Sequence, residues 1–185
     1  MARPLDHAKR AELLDAVVGY IAEHGLTDLS LRPLAAELGT SSRMLIYYFN
    51  TKEELLVQAL ATQRPDIKAV FAGVTDAVSL RERLWEFWTA NTTGSEAISV
   101  KVMLQVLGAA CAPNGPYTDY AHDAIAAFVA ALTEGLRSLD SVDDPEVVAT
   151  LLISGLRGIL QDRLLTGDTQ RTDRAARRLI DHTVR

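Results

Sequence analysis

Apolar residues recur at helical spacing through almost the whole chain. In the first segment they are Leu14, Val17, Val18 and Ile21. Because these positions lie three or four residues apart, they share one face of an amphipathic helix, which Gly25 ends. Two short helices are predicted next, one with Ser30 as its N-cap and one that begins at Ser41 and runs to about Tyr48. Gly39 lies in the turn between them.

A capping-box pattern at residues 51–54 opens a fourth helix that is predicted to reach about Val74. Five more helical patterns follow, at 79–93, 95–110, 116–138, 145–166 and 170–184. No segment shows the two-residue alternation of a β-strand. The sequence therefore predicts an all-α fold of about nine helices. A three-helix N-terminal helix-turn-helix domain at 1–52 precedes a larger C-terminal helical domain at 53–185.

Composition and charge are those of an ordinary globular protein. Of 185 residues, 48% are hydrophobic and 23% are charged. The formal net charge of −5 lies entirely in residues 53–185, because residues 1–52 balance their basic and acidic groups. A neutral N-terminal domain can still bind DNA, since contact depends on local basic and polar groups.

The chain offers no signal for export or for a membrane. Its first residues are charged and no apolar run reaches the ~20 residues of a membrane span. The single cysteine, Cys111, excludes an internal disulfide and a cysteine metal cluster. We expect a cytoplasmic protein with no membrane partner.

The third helix divides into two faces. Leu45, Tyr48 and Phe49 share one face, suited to a core, and Ser42, Arg43, Ile46 and Tyr47 lie on the other. Arginine can bond bidentately to guanine, and serine hydroxyls can bond to a base or a phosphate. Short helices joined by a glycine turn also occur in proteins that never touch DNA, and Ser41 could be an N-cap only. Helix geometry alone therefore leaves DNA binding open.

One run of residues carries a family pattern. Residues 29–39 read Leu-Ser-Leu-Arg-Pro-Leu-Ala-Ala-Glu-Leu-Gly, and the anchors that follow are Ser41, Leu45, the Tyr-Tyr-Phe of 47–49, Lys52 and Leu55. In order and spacing this pattern resembles the TetR family of bacterial regulators, over about residues 10–56. The resemblance implies a repressor that binds a near-palindromic operator in double-stranded DNA as a homodimer. A small apolar or aromatic effector would release it.

The resemblance also implies which residues contact DNA. They are Ser30, Arg32, Ser41, Ser42, Arg43, Tyr47 and Lys52, with Ser30 and Lys52 on phosphates. Two positions depart from the family pattern. Thr40 replaces an aliphatic residue, and Ile46 stands where the family carries a phosphate-binding tyrosine, so that contact is lost or passes to Tyr47. Ile46 could instead meet a thymine methyl group.

The C-terminal domain is implied to bind the effector and to form the dimer through its last two helices. The 145–166 helix is apolar nearly all round and must be covered on more than one side. The candidate interface residues are Leu152, Gly155, Leu156, Ile159, Leu179 and Ile180. The alternative is a central core helix in a monomer.

Candidate effector-binding residues are aromatic and apolar, with a few polar anchors, as is typical of small-molecule sites. They are Phe71, Trp85, Trp88, Met103, Gln105, Leu107, Cys111, His122 and Phe128. The same residues could simply form the core. The arginines of the last helix could form a DNA-binding tail, but the interleaved Asp173 and Asp181 favour a salt-bridged surface.

No catalytic constellation is evident. Cys111 lacks a basic partner nearby in sequence, and the four histidines show no metal-ligand spacing. We expect no enzyme activity, no cofactor and no metal. The remaining alternative is a TetR-like protein that binds a ligand or a partner without specific DNA binding.

Overall fold

The computed structural model describes residues 6–26, 29–62, 66–93, 96–112, 115, 117–139 and 142–184. Over these residues the regular secondary structure is entirely helical, which confirms the all-α prediction. The helices are α1 His7–His24, α2 Leu31–Glu37, α3 Ser42–Phe49, α4 Lys52–Thr62, α5 Ile67–Val70, α6 Ala77–Thr92, α7 Glu96–Ala110, α8 Thr118–Arg137, α9 Pro145–Thr166 and α10 Thr169–Thr183.

One predicted helix is wrong in its extent. The fourth helix ends at Thr62 instead of continuing to Val74, and the four-residue α5 is a separate element. Pro65 lies between them, and a proline disfavours helical backbone at the residue before it. Asp66 then caps α5 by accepting a hydrogen bond from the Ala69 amide. The later predicted helices agree within two residues, except that their predicted starts at 95 and 116 lie outside the described residues.

The chain packs as two compact units. Unit 1 comprises Met1–Arg64 and Ile98–Ala121, and unit 2 comprises Pro65–Ala97 and His122–Arg185. Helix α4 and most of α7 therefore pack with the N-terminal helices. The division predicted at residues 52 and 53 separates functions, and it stays a prediction.

Unit 1 is built around α1, with α4 packed along it and α2 and α3 completing the bundle. Each helix contributes side chains that are fully buried, among them Val17, Leu34, Leu45, Leu56 and Val106. Burial of each such side chain is worth roughly 1.5–3 kcal/mol. Arg10 adds a polar tie, because its guanidinium bonds to Gln58 and lies 5.3 Å from the centre of the Phe49 ring.

Unit 2 is organised by the hairpin of α9 and α10, with α6 packed on α10. The hairpin turns at Gly167, whose φ of +68° is the left-handed conformation that glycine adopts at low cost. Gly155 permits close packing in the same hairpin, because a Cβ atom there would collide with the side chain of Leu179. Among the described residues, no helix combines the length and the apolar character needed to cross a bilayer.

Candidate nucleic-acid interface

The turn between α2 and α3 is held by local hydrogen bonds. Gly39 adopts a φ of +61°, and the Thr40 amide donates to the Ala35 carbonyl at 2.9 Å. Ser41 caps α3, because its Oγ accepts from the Met44 amide at 3.2 Å. Ser42 closes the motif across the turn, where its hydroxyl donates to the Leu31 carbonyl at 3.1 Å. These bonds fix the direction in which α3 leaves the turn.

Helix α3 has the two faces that its spacing predicts. Leu45 and Phe49 are fully buried, and Tyr48 is half-buried beside them. Arg43, Met44, Ile46 and Tyr47 are exposed. The Arg43 guanidinium has no hydrogen bond or ion pair with the described residues, so it is available to an external partner. Tyr47 is held from the side by the ring of Tyr48, at 5.4 Å between centroids.

The other predicted DNA-binding residues differ in whether their side chains already form hydrogen bonds within the chain. Ser30 and Arg32 are exposed, and Ser30 occupies the N-cap position of α2 without a side-chain capping bond. Lys52 is half-buried, and its Nζ donates to the Leu29 carbonyl at 3.3 Å. Because Lys52 is the first residue of α4, its ammonium lies near the N-terminal end of that helix, where the helix dipole favours an anion. The hydroxyl proton of Ser42 is already donated to the Leu31 carbonyl.

The start of α4 departs in one detail from a reciprocal capping box. The Glu54 amide donates to Thr51 Oγ1 at 3.0 Å, as predicted. The Glu54 carboxylate accepts from the side-chain amide of Asn50 at 2.9 Å. Asn50 has a φ of +61°, so this bond supports the left-handed residue that ends α3.

Helix α7 is joined to the end of α1 by two hydrogen bonds that the sequence does not reveal. Lys101 Nζ donates to the Ala22 carbonyl at 2.7 Å, and Gln105 Oε1 accepts from the Leu26 amide at 2.9 Å. Gln105 was expected to anchor an effector. In the structure it satisfies a backbone group just beyond the C-terminus of α1, a role that local sequence could not indicate because the partners are far apart in the chain.

A second link connects α1 with α2. His24 Nε2 lies 3.2 Å from Glu37 Oε2 and 4.0 Å from Glu23 Oε2, and the Tyr20 ring stacks on the imidazole with 4.3 Å between centroids. All three side chains are exposed. The imidazole and the Glu37 carboxylate link the two helices at the surface, and such exposed contacts contribute little stability.

The candidate effector-binding residues fall in both units. Met103, Gln105, Leu107 and Cys111 belong to unit 1, and Phe71, Trp85, Trp88, His122 and Phe128 belong to unit 2. Within unit 2, Trp88 is buried with its Nε1 bonded to Asp173, and Phe128 packs on Phe87 with 5.7 Å between ring centroids. Cys111 and His122 are exposed. Their role in effector binding stays a prediction.

Unit 2 carries an open groove of about 690 Å³ along α10 and α6. It is lined by Trp85, Asp173, Arg174, Ala175, Arg177, Arg178, Asp181 and His182. Arg177 lies over the Trp85 ring, 3.8 Å from its centre, in a cation–π contact. The arginines of α10 therefore form different kinds of contact. Arg171 forms salt bridges with Asp162 and Asp168, which were not the predicted partners. Asp173, which was predicted to pair within α10, pairs with Arg163 of α9 instead.

The predicted dimer residues are not equally accessible. Leu152, Leu156 and Ile180 are buried inside unit 2, and Gly155, Ile159 and Leu179 are half-buried. The exposed side of α9 instead carries a stripe of apolar and small residues, namely Val147, Leu151, Ser154, Gly158 and Leu165. Sequence periodicity could not separate the two sides, because both are apolar.

Comparison with known proteins agrees with this geometry. Residues 13–59 match the family described as bacterial regulatory proteins, tetR family. The helix-turn-helix region is therefore similar to that of TetR regulators. A curated TetR-like relative, the HTH-type transcriptional regulator BetI of Agrobacterium fabrum, is 27% identical over 81 residues. That match covers 43% of this chain and 39% of the relative, so the chain spans well under half of the relative's length in it.

Solved structures show that the TetR fold extends over the whole chain. A TetR transcription regulator from Haloarcula marismortui superposes with a TM-score of 0.79 at 20% identity and 97% coverage of both chains. SmeT, the repressor of the Stenotrophomonas maltophilia multidrug efflux pump SmeDEF, superposes in its triclosan complex with a TM-score of 0.76 at 18% identity. That match covers 96% of this chain and 90% of SmeT.

Proposed function

We propose that the chain is a transcriptional repressor that binds a near-palindromic site in double-stranded DNA as a homodimer. The observation that carries this proposal is the exposed face of α3, where the cation of Arg43 stands without a partner among the described residues on a helix fixed by the Ser41 cap. A helix presented in this way enters the major groove in helix-turn-helix proteins.

Each of the candidate residues takes a separate role on DNA. Arg43 reads a guanine from the middle of the exposed face, with Arg32 and Ser41 at the rim. Lys52 and Ser30 bind phosphates and set the register without selecting sequence. Ser42 gives its proton to the Leu31 carbonyl, so it positions α3 and can only accept a bond from DNA. Tyr47 takes a phosphate in place of the tyrosine that Ile46 replaces.

The dimer forms through the exposed stripe of α9. Val147 and Leu151 would pack against the same stripe of a second copy, and Gly158 leaves open space in which a partner helix can approach closely. The buried Leu152, Leu156 and Ile180 support this surface from inside the unit. This arrangement assigns a partner to apolar side chains that would otherwise face water.

A small apolar or aromatic effector is the proposed inducer. The triclosan complex of SmeT supports this class of ligand, since triclosan is such a molecule. The bonds from Lys101 and Gln105 to the end of α1 offer a route by which a ligand that displaces α7 would shift the helix-turn-helix. DNA and effector would then oppose each other with a coupling of about 1–3 kcal/mol.

The direct test is selection of bound duplexes from a random pool, followed by mobility-shift titration of the selected site. We expect two half-sites about one helical turn apart or somewhat more. Arg43→Ala should weaken binding mainly to the selected site, and Lys52→Gln should weaken selected and random duplexes alike. Circular dichroism controls for folding, because Lys52 also bonds to Leu29. Absence of any shift at low salt would contradict the proposal and favour a TetR-fold protein that only binds ligands or partners.

A further inference from the structure

Helix α3 carries an apolar surface that α1, α2 and α4 lack. Within residues 6–62, every large hydrophobic side chain that is exposed lies on this helix, namely Met44, Ile46 and Tyr47. The exposed positions of α1 and α2 are polar, charged or small instead. Single exposed apolar residues are common on proteins, but their confinement to one face of one helix indicates a contact surface.

Ile46 lies beside Arg43 on that surface. It lies three residues after Arg43, and residues at this spacing are neighbours on one helix face. The side chain is 40% exposed, so its methyl groups face outward, whereas Leu45 beside it is fully buried. Met44 is set further round the helix, toward the half-buried Tyr48. The exposed face of α3 therefore carries an aliphatic group next to a guanidinium that has no partner among the described residues.

We infer that Ile46 reads the methyl group of a thymine in the major groove. In that groove thymine presents its C5 methyl, a nonpolar mark against which an apolar side chain can pack. Because three residues of helix rise by roughly 4.5 Å and successive base pairs by about 3.4 Å, the thymine lies within about two base pairs of the guanine read by Arg43. This inference rests on the proposed function, whose DNA-binding face it makes specific.

The inference also explains how α3 can be selective with few polar groups. Ser42 gives its hydroxyl proton to the Leu31 carbonyl, and Ser41 Oγ accepts from the Met44 amide. Arg43 is the hydrogen-bond donor next to Ile46 on this face, and a contact with one guanine specifies only one base pair. A contact between Ile46 and a thymine methyl group specifies a second base without a hydrogen bond. The selected half-site should then pair a guanine with a nearby thymine.

Replacement of thymine by deoxyuridine tests this, since it removes only the methyl group and keeps the hydrogen-bonding pattern. Fluorescence anisotropy would give Kd for the selected duplex and for duplexes with deoxyuridine at each thymine in turn, once per half-site. Burial of a group of methyl size corresponds to roughly a fourfold change in an equilibrium constant. We expect replacement at one symmetric pair of thymines to raise Kd by about fifteenfold, because two methyl contacts are lost at once. Replacement at the other thymines should raise Kd much less.

The variant Ile46→Ala should bind the thymine and deoxyuridine duplexes with nearly equal Kd. A ratio that persists in this variant would reflect the shape of the DNA and would overturn the assignment to Ile46. Val78→Ala is the matched control, because it trims an exposed β-branched side chain of unit 2 and should keep the wild-type ratio. Both positions are exposed, so neither variant threatens folding.

The outcomes separate this inference from the function on which it rests. Tight binding of a selected duplex with no thymine preference at any position overturns the inference and leaves the proposed function standing. Failure to bind any duplex overturns both. If Ile46→Ala alters the oligomeric state in sedimentation and leaves the thymine preference unchanged, the face is a contact between copies and the inference is wrong.

Discussion

Thr133 shows how one polar atom can reduce the stability of a core. The residue lies on α8 and is buried, and its Oγ1 has no hydrogen-bond partner among the described residues. Removing a hydroxyl from water without a partner costs free energy that an apolar group of the same shape would not cost. The side chain is therefore a local weakness of unit 2.

Thr133→Val should raise the free energy of unfolding by about 1 kcal/mol, because it replaces an unpaired hydroxyl with a methyl group of similar size. Thermal and urea unfolding measure the change. Thr133→Ser is the control, and it should lower stability because it keeps the hydroxyl and removes the methyl. A less stable Thr133→Val protein would show that the hydroxyl does have a partner.

Asp173 has the opposite role and joins three helices of unit 2. Its Oδ1 accepts from Trp88 Nε1 of α6 and from Arg163 of α9, each at 2.8 Å. The Arg163 side chain is only 14% exposed. Loss of Asp173 would leave its guanidinium with the oxygens of Thr169 and Thr172 but without a counter-charge, and would leave the indole N–H of the buried Trp88 without its acceptor.

We expect Asp173→Ala to lower the free energy of unfolding by about 2 kcal/mol. Asp181 lies on the same helix and is exposed. Asp181→Ala should therefore change the free energy of unfolding by less than about 0.5 kcal/mol. Urea titration of the wild-type protein and the two variants measures these free energies of unfolding. Equal stability of the two variants would mean that the network contributes nothing.

At the scale of helices, the α9–α10 hairpin is stabilised by charge at its turn. Arg171 donates to both oxygens of Asp162, at 2.6 and 2.8 Å, and to Asp168 at 3.1 Å. The bond from Arg171 holds the pKa of Asp162 below its ordinary value of 3.8. The backbone amide of Arg171, followed by its side chain, lowers the pKa of Asp168 in the same direction.

Because both carboxyls have a lower pKa when folded, their contribution is complete above the unfolded pKa and is lost as the pH falls through the folded pKa. Unfolding free energy should therefore fall more steeply below about pH 4 for wild type than for Arg171→Met. Denaturant titrations at several pH values give the two slopes. Arg178→Met, an exposed arginine of α10, is the control and should follow wild type. If the unfolding free energy of Arg171→Met fell with pH as steeply as that of wild type, the bonds from Arg171 would not be the cause of the pH dependence.

For the molecule as a whole, the proposed dimer links the exposed stripe of α9 to DNA binding. Leu151→Glu places a charge where the side chain is 57% exposed in one copy, so the copy itself should stay folded. A second copy would have to bury that charge. We expect a monomer in sedimentation equilibrium and weaker binding to a two-half-site duplex, because each helix-turn-helix then binds alone.

Val78→Glu is the matched variant, since Val78 of α6 is 54% exposed and lies away from the stripe. It should keep the wild-type oligomeric state and affinity. A Leu151→Glu protein that remains dimeric would place the interface elsewhere.

Local sequence could predict most helix ends and the exposed residues of α3. Caps such as Ser41 act within three residues, and the spacing of Leu45, Phe49, Arg43 and Ile46 assigns them to opposite faces. The helix-turn-helix pattern indicated a resemblance to the TetR family, and residues 13–59 match that family. The predicted extension of the fourth helix was wrong, because the helical spacing of apolar residues continues beyond α4.

The amino-acid sequence by itself determined the all-α class, the helix-turn-helix and the two faces of α3, because these depend on contacts between residues close in the chain. Only the tertiary structure decided which apolar side of α9 is buried, so that Leu152 lies in the core and Leu151 faces outward. It likewise decided that Gln105 binds Leu26 and that Asp173 binds Trp88. These partners are far apart in sequence, and no local pattern specifies packing between distant helices.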